Sequence, residues 1–326
     1  MDLGLDGRVY IVTGASRGLG RACAQLLADE GARLVIASRN REAITAAAES
    51  LGSSDQVMGL SIDLADPQAP EQCVAAAVGR FGRLDGALIS VGGPPPGSVL
   101  DSTDEVWRSS FESIFLGAVR TAKAVSRGVG TEGGSILFVL SSSVKSPIAG
   151  LAVSNGLRPG LAMTAKTLAD ELGPRAIRVN AVLPGRIDTD RVRELDEAAA
   201  DPAAQRRKAE SGIPLGRYGY PEEFARPAVF LLSPAASYVT RTALAVDGGV
   251  AHVLSCSRWF VDSAGSSAQC GSSAECGSSA ECGSSAECGS SAECGSSAEC
   301  GSSAGRGSSA GRSIQSRSRS SPVGAG

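Results

Sequence analysis

The segment Thr13-Gly14-Ala15-Ser16-Arg17-Gly18-Leu19-Gly20 has the residue types and spacing to hold a phosphate. It follows the apolar run Val9-Tyr10-Ile11-Val12. It precedes apolar residues at helical spacing: Leu19, Cys23, Leu26 and Leu27. Gly14 lets the chain turn sharply there. Gly18 and Gly20 let backbone and helix approach a pyrophosphate and a sheet closely, and the free N–H groups of the first helical turn face that anion. A second apolar run, Arg33–Ala37, leads into Ser38-Arg39. A site for NAD usually carries an acidic residue at this point, to hold the ribose hydroxyls. Arg39 stands there instead, with Arg17 in the glycine turn. Two guanidinium groups suit a 2′-phosphate, so NADP is the expected dinucleotide. Asp63-Leu64 closes a third apolar run, in position for an adenine amino group.

Other chemistries are poorly supplied. The chain of 326 residues has a single histidine, His252, which rules out any site needing two. Its 9 cysteines are unevenly placed. Cys23 and Cys73 lie in apolar helical stretches and are expected to pack in the core. Six others recur at every sixth residue from 270 to 300, a spacing unlike the short CxxC chelates of structural zinc sites. The 31 basic and 34 acidic residues give a net charge of −3, without the basic excess of a nucleic-acid binder. No run of about 18 apolar residues would cross a membrane, and Met1–Gly7 lacks the pattern of a secretory signal. The expected location is cytoplasmic.

Residues 1–250 alternate short β-branched runs with Ala/Leu-rich stretches of helical period. Strands are expected near 9–12, 33–37, 57–62, 84–91, 135–140, 177–181 and 244–246. Helices are expected near 40–50, 72–81, 104–125 and 151–172. The strands are apolar on both faces and helices separate them, which implies a buried parallel sheet covered on both sides. The reading is α/β, a Rossmann-type doubly wound sheet of about seven strands in one domain. Residues 251–326 are read separately. From Gly265 they run as GSSAQC, five GSSAEC and two GSSAGR units. With no apolar side chain larger than Cys in those units, such a tail is expected to stay disordered. An exact repeat of this kind also fits a shifted or extended reading frame through repetitive DNA.

Taken together, TGASRGLG (13–20), Asp63-Leu64, the Gly92-Gly93 turn, LSSSV (140–144), PGRIDT (184–189), PLGRYGYPEEFA (214–225) and AVDGG (245–249) resemble the short-chain dehydrogenase/reductase family. Within it, the chain is most similar to reductases of the 3-oxoacyl-carrier-protein type. The resemblance covers about residues 5–250. It implies hydride transfer between a nicotinamide and a small-molecule carbonyl or alcohol, with a 3-oxoacyl group among the candidates. It also implies cofactor contacts at Gly14, Ser16, Arg17, Gly18, Leu19, Gly20, Arg39, Asp63, Leu64, Gly92, Arg158, Pro184, Gly185, Ile187 and Thr189. A homodimer or homotetramer built through the helices 104–125 and 151–172 is implied as well. Residues 188–213 would form a helical lid.

The family's acid/base tyrosine and its lysine four residues on fall here at Ser154 and Arg158. Its substrate serine falls at Ser141, in the run Ser141-Ser142-Ser143, and its relay asparagine at Ile114. The candidate catalytic set is therefore Ser141, Ser154 and Arg158, in a divergent subgroup without the Tyr-x-x-x-Lys pair. An aliphatic hydroxyl is a poor acid/base at neutral pH, and Arg158 stays charged. Three outcomes are open. One is an NADP-dependent oxidoreductase whose proton comes from water, the serine cluster, Tyr218 or Tyr220. Another is an NADP(H)-binding protein without reductase activity, acting as a sensor or oligomer partner. The third is an enzyme of another reaction type.

Overall fold

The computed structural model describes residues 2–197 and 199–251. The repeat tail and His252 lie outside them. Seven strands form one parallel sheet in the order β3-β2-β1-β4-β5-β6-β7. They are β1 Val9–Thr13, β2 Arg33–Ser38, β3 Val57–Ser61, β4 Gly86–Ser90, β5 Gly134–Val139, β6 Ile177–Pro184 and β7 Ala243–Val246. Each sits within two or three residues of its sequence expectation. The chain runs outward from β1 to β3, returns to the middle, and continues from β4 to β7. The switch point is thus between β1 and β4, where Ile11 pairs with Ala87 and Val12 with Leu88.

The period of two along each strand sends alternate residues to two cores. Tyr10, Val12, Leu34 and Ile36 pack with α1 (Gly18–Asp29), α2 (Arg41–Leu51) and α9 (Pro221–Leu232). Val9, Ile11, Val35 and Ala37 face the opposite side. There they meet α3 (Ala69–Phe81), α5 (Gly117–Gly128) and α6 (Ala152–Leu172). Cys23 and Cys73 are buried, one in each core, and burial pushes both thiols up. They are packing residues.

The stretch expected as one helix over 104–125 is α4 (Asp104–Ser110), a π-helical turn at Phe111–Leu116, and α5. The widened turn holds Ile114. Helix α9 has no counterpart in the sequence-based elements. Pro221 begins it, and Glu223 reaches back to the Tyr220 N–H at 2.8 Å. Arg178, from β6, donates to the carbonyls of Leu231, Leu232, Ser233 and Val239. A cation therefore caps the C-terminal end of α9 and ties it to the sheet. Two short helices, α7 (Asp190–Glu197) and α8 (Pro202–Ser211), make up the stretch expected as a lid.

Candidate active site

The residues expected at the cofactor follow the carboxyl ends of β1, β2, β3, β4 and β6, with Arg158 on α6, and the switch point between β1 and β4 opens on the same edge of the sheet. Gly14 follows β1 with φ +62°, and a Cβ there would lie 2.7 Å from the Ser90 carbonyl oxygen at the end of β4. The two strand ends are also tied by Thr13, whose hydroxyl donates to the Ser90 carbonyl at 2.8 Å and accepts from the Ser90 N–H at 2.9 Å. A Cβ at Gly20 would come 2.4 Å from the Gly14 carbonyl oxygen, so α1 sits directly on the turn. Gly20 thus serves helix-to-turn packing. Gly18, at φ +60°, lies against the Thr189 methyl. Ser16 and Leu19 are half-buried in the same turn.

The donor set fits a dinucleotide phosphate. The residue before α1 is Arg17, which offers no side-chain acceptor to the first-turn N–H groups. Those groups remain available to an anion, as pyrophosphate binding requires. Arg39 is exposed beyond β2 and has no side-chain partner among the described residues. Asp63 is exposed after β3, with one carboxylate oxygen accepting from the Ala65 N–H at 3.0 Å. Leu64 packs against Gly117 of α5, where a Cβ would meet the Leu64 carbonyl oxygen at 2.6 Å. The PGRIDT segment leaves β6 opposite β7. Pro184 pairs with Val246, the Gly185 N–H donates to the Val246 carbonyl, and Ile187 and Thr189 are buried.

Past that segment, α7 crosses toward the glycine turn. Glu194 pairs with Arg17 at 2.9 Å, and Arg191 donates to the Pro94 carbonyl at 3.1 Å. The sequence gives no hint of either contact, because the partners lie 97 or more residues apart. Helix α7 is held from its other side by a second cluster. The Tyr218 hydroxyl donates to Asp196 at 2.9 Å, Asp196 pairs with Arg186 at 3.0 Å, and the Arg206 guanidinium lies 4.5 Å above the Tyr218 ring. Burial first, and then the bond to Asp196, pushes the Tyr218 phenol up to about 12. Tyr218 is thereby tied to α7. Tyr220 is exposed at the start of α9. A groove of about 480 Å³ beside Gly18, between α1 and α9, is lined by neither Ser154 nor Arg158.

At the end of β5 the three serines separate. The Ser141 oxygen accepts from the Ser143 N–H at 3.1 Å and starts a short 3-10 turn. Ser143 is buried, and its hydroxyl lies 3.3 Å from that of Ser154, also buried, on α6. The geometry brings Ser143, not Ser141, to Ser154. One turn along α6, Arg158 is 6% exposed. One of its terminal nitrogens donates to the carbonyls of Val139 and Leu140 at 2.9 Å, and the other to that of Gly92 at 3.4 Å. Among the described residues no carboxylate pairs with it. Burial pulls the guanidinium down to about 10, so it remains charged at neutral pH. Asn155 pins the loop before α6, accepting from the Ile148 N–H and donating to its carbonyl.

Behind this group the wall is apolar. Ile114 packs with Val153 and Leu157, backed by Val91, Val106 and Trp107. Gly156 lets α6 approach, since a Cβ there would lie 2.8 Å from the Trp107 ring. The position expected to carry a polar relay is filled by packing.

A glycine turn at the switch point of a doubly wound parallel sheet, with a polar cluster beside it on β5 and α6, defines a dinucleotide-dependent oxidoreductase scaffold. Known proteins place it more closely. Residues 14–251 match the family model described as enoyl-(acyl carrier protein) reductase. L-rhamnose 1-dehydrogenase (NAD(P)(+)) of Azotobacter vinelandii is 36% identical over 76% of this chain and 97% of its own length. The 3-oxoacyl-[acyl-carrier-protein] reductase of Escherichia coli is 32% identical over 76% and 99%. The crystal structure of L-sorbose reductase from Gluconobacter frateurii, complexed with NADPH and L-sorbose, superposes with a TM-score of 0.72. It is 31% identical, and the match spans 78% of this chain and 100% of that one. The chain belongs to the short-chain dehydrogenase/reductase family.

Proposed function

We infer that this protein is an NADP(H)-dependent oxidoreductase that transfers hydride to or from a small carbonyl or alcohol substrate. The observation that carries the cofactor choice is Arg39, exposed at the end of β2 where an acidic residue would favour NAD. Arg17, in the glycine turn, is the second guanidinium of the expected pair and is held here by Glu194. The similarity to a reductase crystallised with NADPH supports the same choice. Curated relatives named for sugars and for 3-oxoacyl carriers bracket the substrate class, and a 3-oxoacyl group is one member of it.

When bound, the nicotinamide supplies or accepts the hydride. The chain's own residues hold the other reactant. Ser143 and Ser154 offer two hydroxyls, 3.3 Å apart, to one substrate oxygen. Arg158 supplies a fixed positive charge one helical turn away, and the Ile114 cluster forms an apolar wall beside it. Ser143 takes the part expected of Ser141, whose oxygen is engaged with the backbone. The lid straps from Arg17 and Arg191 frame the opening.

The domain comprises residues 1–250, in keeping with relatives that match over nearly their full length to about three-quarters of this chain. Exposed Phe111 and Met163, on the π-turn and on α6, mark the faces proposed for a homodimer or tetramer. Among the described residues no helix is long and apolar enough to cross a membrane, and the proposed location is cytoplasmic. Binding of NADPH and NADH to the purified full chain, followed by cofactor fluorescence, tests the reading. NADPH is expected to bind at least about tenfold more tightly, some 1.4 kcal/mol. Equal affinity would remove the basis for the NADP assignment.

A further inference from the structure

Two guanidinium groups meet on one turn at the end of β4. Buried Arg158 reaches the Gly92 carbonyl at 3.4 Å. From α7, Arg191 donates through Nη2 to the Pro94 carbonyl at 3.1 Å, and its Nε lies 3.5 Å from where a Cβ on Gly93 would stand. Gly92 and Gly93 are exposed, and a Cβ on Gly92 would meet nothing within 4 Å. The turn thus leaves open space at Gly92, with one cation bonded to it and a second resting on the next two residues. Ser154 belongs to the same neighbourhood, since it stands one helical turn before Arg158 on α6 and faces Ser143.

The acids near this turn are spoken for. Arg193 engages Asp188 and Asp190, Arg206 also engages Asp188, and Arg186 engages Asp196. Glu194 sits 2.9 Å from Arg17 but 3.8 Å from Arg191. The longer pair joins exposed groups without a hydrogen bond, and such pairs contribute little. Among the described residues Arg191 uses only one of its five N–H groups in a hydrogen bond, so a whole edge of its fork stays open. That edge suits a planar carboxylate held through two parallel bonds. The charge left to match is one, because Arg158 is spent on backbone carbonyls. The cofactor phosphates have their own donors in the first turn of α1, Arg17 and Arg39.

We propose that Arg191 is a specificity-determining residue that binds a carboxylate of the substrate, and that the substrate is an oxo acid or the matching hydroxy acid, with its reacting oxygen at Ser143 and Ser154. The inference rests on the NADP(H)-dependent carbonyl or alcohol reading above. Helix α7 brings the cation to the turn, and the exposed glycines leave room for the acid between Arg191 and the serines.

Calorimetry and kinetics on the full chain test this. The probes are 2-oxopentanoate, 3-oxopentanoate and 4-oxopentanoate, each beside its methyl ester, with NADP+ present for binding and NADPH for turnover. At least one acid is expected to bind at least about tenfold more tightly than its ester, and to be reduced with a higher kcat/KM. Arg191→Met should bring the acid-to-ester ratio to about one, chiefly through KM for the acid. Arg191→Lys should restore part of the preference, and rising salt should weaken it. Esters bound as tightly as the acids at every spacing overturn the proposal. So does an Arg191→Met variant that keeps the acid preference, or one that loses only NADPH affinity, which would assign Arg191 to the cofactor. An Arg191-dependent preference in binding without any turnover supports the carboxylate site and overturns the oxidoreductase reading instead. Failure to bind NADPH would overturn the cofactor reading, and acid-over-ester binding to the chain alone would then decide the role of Arg191.

Discussion

Arg39 and Ser143 act at the scale of single side chains, and each supports a measurable expectation. Arg39→Asp replaces an unpartnered cation by the acid that favours ribose hydroxyls. NADPH should lose at least about tenfold in affinity, roughly 1.4 kcal/mol, and NADH should gain. Fluorescence titration with both cofactors reads this, and an unchanged ratio would place the 2′-phosphate elsewhere. Ser143→Ala removes the hydroxyl next to Ser154, whereas Ser141→Ala removes only a local backbone cap. The first should lower kcat by about 10²-fold or more, in the range of one lost oxyanion donor. The second should leave kcat within a few fold and cost about 0.5–2 kcal/mol of stability at most. Steady-state kinetics beside thermal melts separates these effects. The three serines are equivalent in sequence. Only the 3-10 turn at Ser142–Val144 turns one of them inward.

Helices and turns carry the next level. Gly20→Ala places a Cβ within 2.4 Å of the Gly14 carbonyl oxygen, so α1 must move off the glycine turn. NADPH affinity should fall sharply while the far-UV spectrum of the fold persists. The lid strap is weaker. Glu194→Ala frees Arg17 from an exposed ion pair worth about 0.2–1 kcal/mol. NADPH binding should tighten by up to about fivefold and become more salt-dependent, since a freed cation then faces the anionic cofactor, which titration at two ionic strengths would show. The start of α9 is sensitive to acid. Arg217, and then the Tyr220 N–H, hold Glu223 down at about 2, against an ordinary 4.5. A depressed carboxyl stabilises the fold above its unfolded value and loses that contribution as pH falls. The α9 cap should therefore weaken between about pH 4.5 and 2, seen as faster amide exchange at residues 221–224. Exchange independent of pH, after correction for intrinsic rates, would argue against it.

At the scale of the molecule, the sheet is buried on both faces and its centre is least able to relax. Phe138 on β5 is fully buried between β4 and β6. Phe138→Ala should cost about 3–5 kcal/mol in denaturant unfolding. A loss under about 1 kcal/mol would mean the core closes around the gap. Gly86 on β4 is equally constrained, since a Cβ would lie 2.0 Å from the Ser135 carbonyl oxygen. The two-sided burial also explains why the strands were legible as continuous apolar runs.

Residue types and their spacing alone specify the seven strands, the glycine turn, the arginines expected at the cofactor and the loss of tyrosine, lysine and asparagine at Ser154, Arg158 and Ile114. Those features are local, written in hydrophobic period, glycine spacing and residue type. Features that depend on partners distant in the chain arise only on folding. Folding set Ser143 rather than Ser141 against Ser154, and bound Arg158 to the ends of β4 and β5. It committed Tyr218 to Asp196 and drew Arg17 to Glu194. It also formed α9, whose ends are fixed by Glu223 and by Arg178 on β6, and widened the helix at Phe111–Leu116 into a π-turn. Packing and long-range hydrogen bonds select among conformations that local preference leaves nearly equal. That selection turned a row of serines and one arginine into an oriented site.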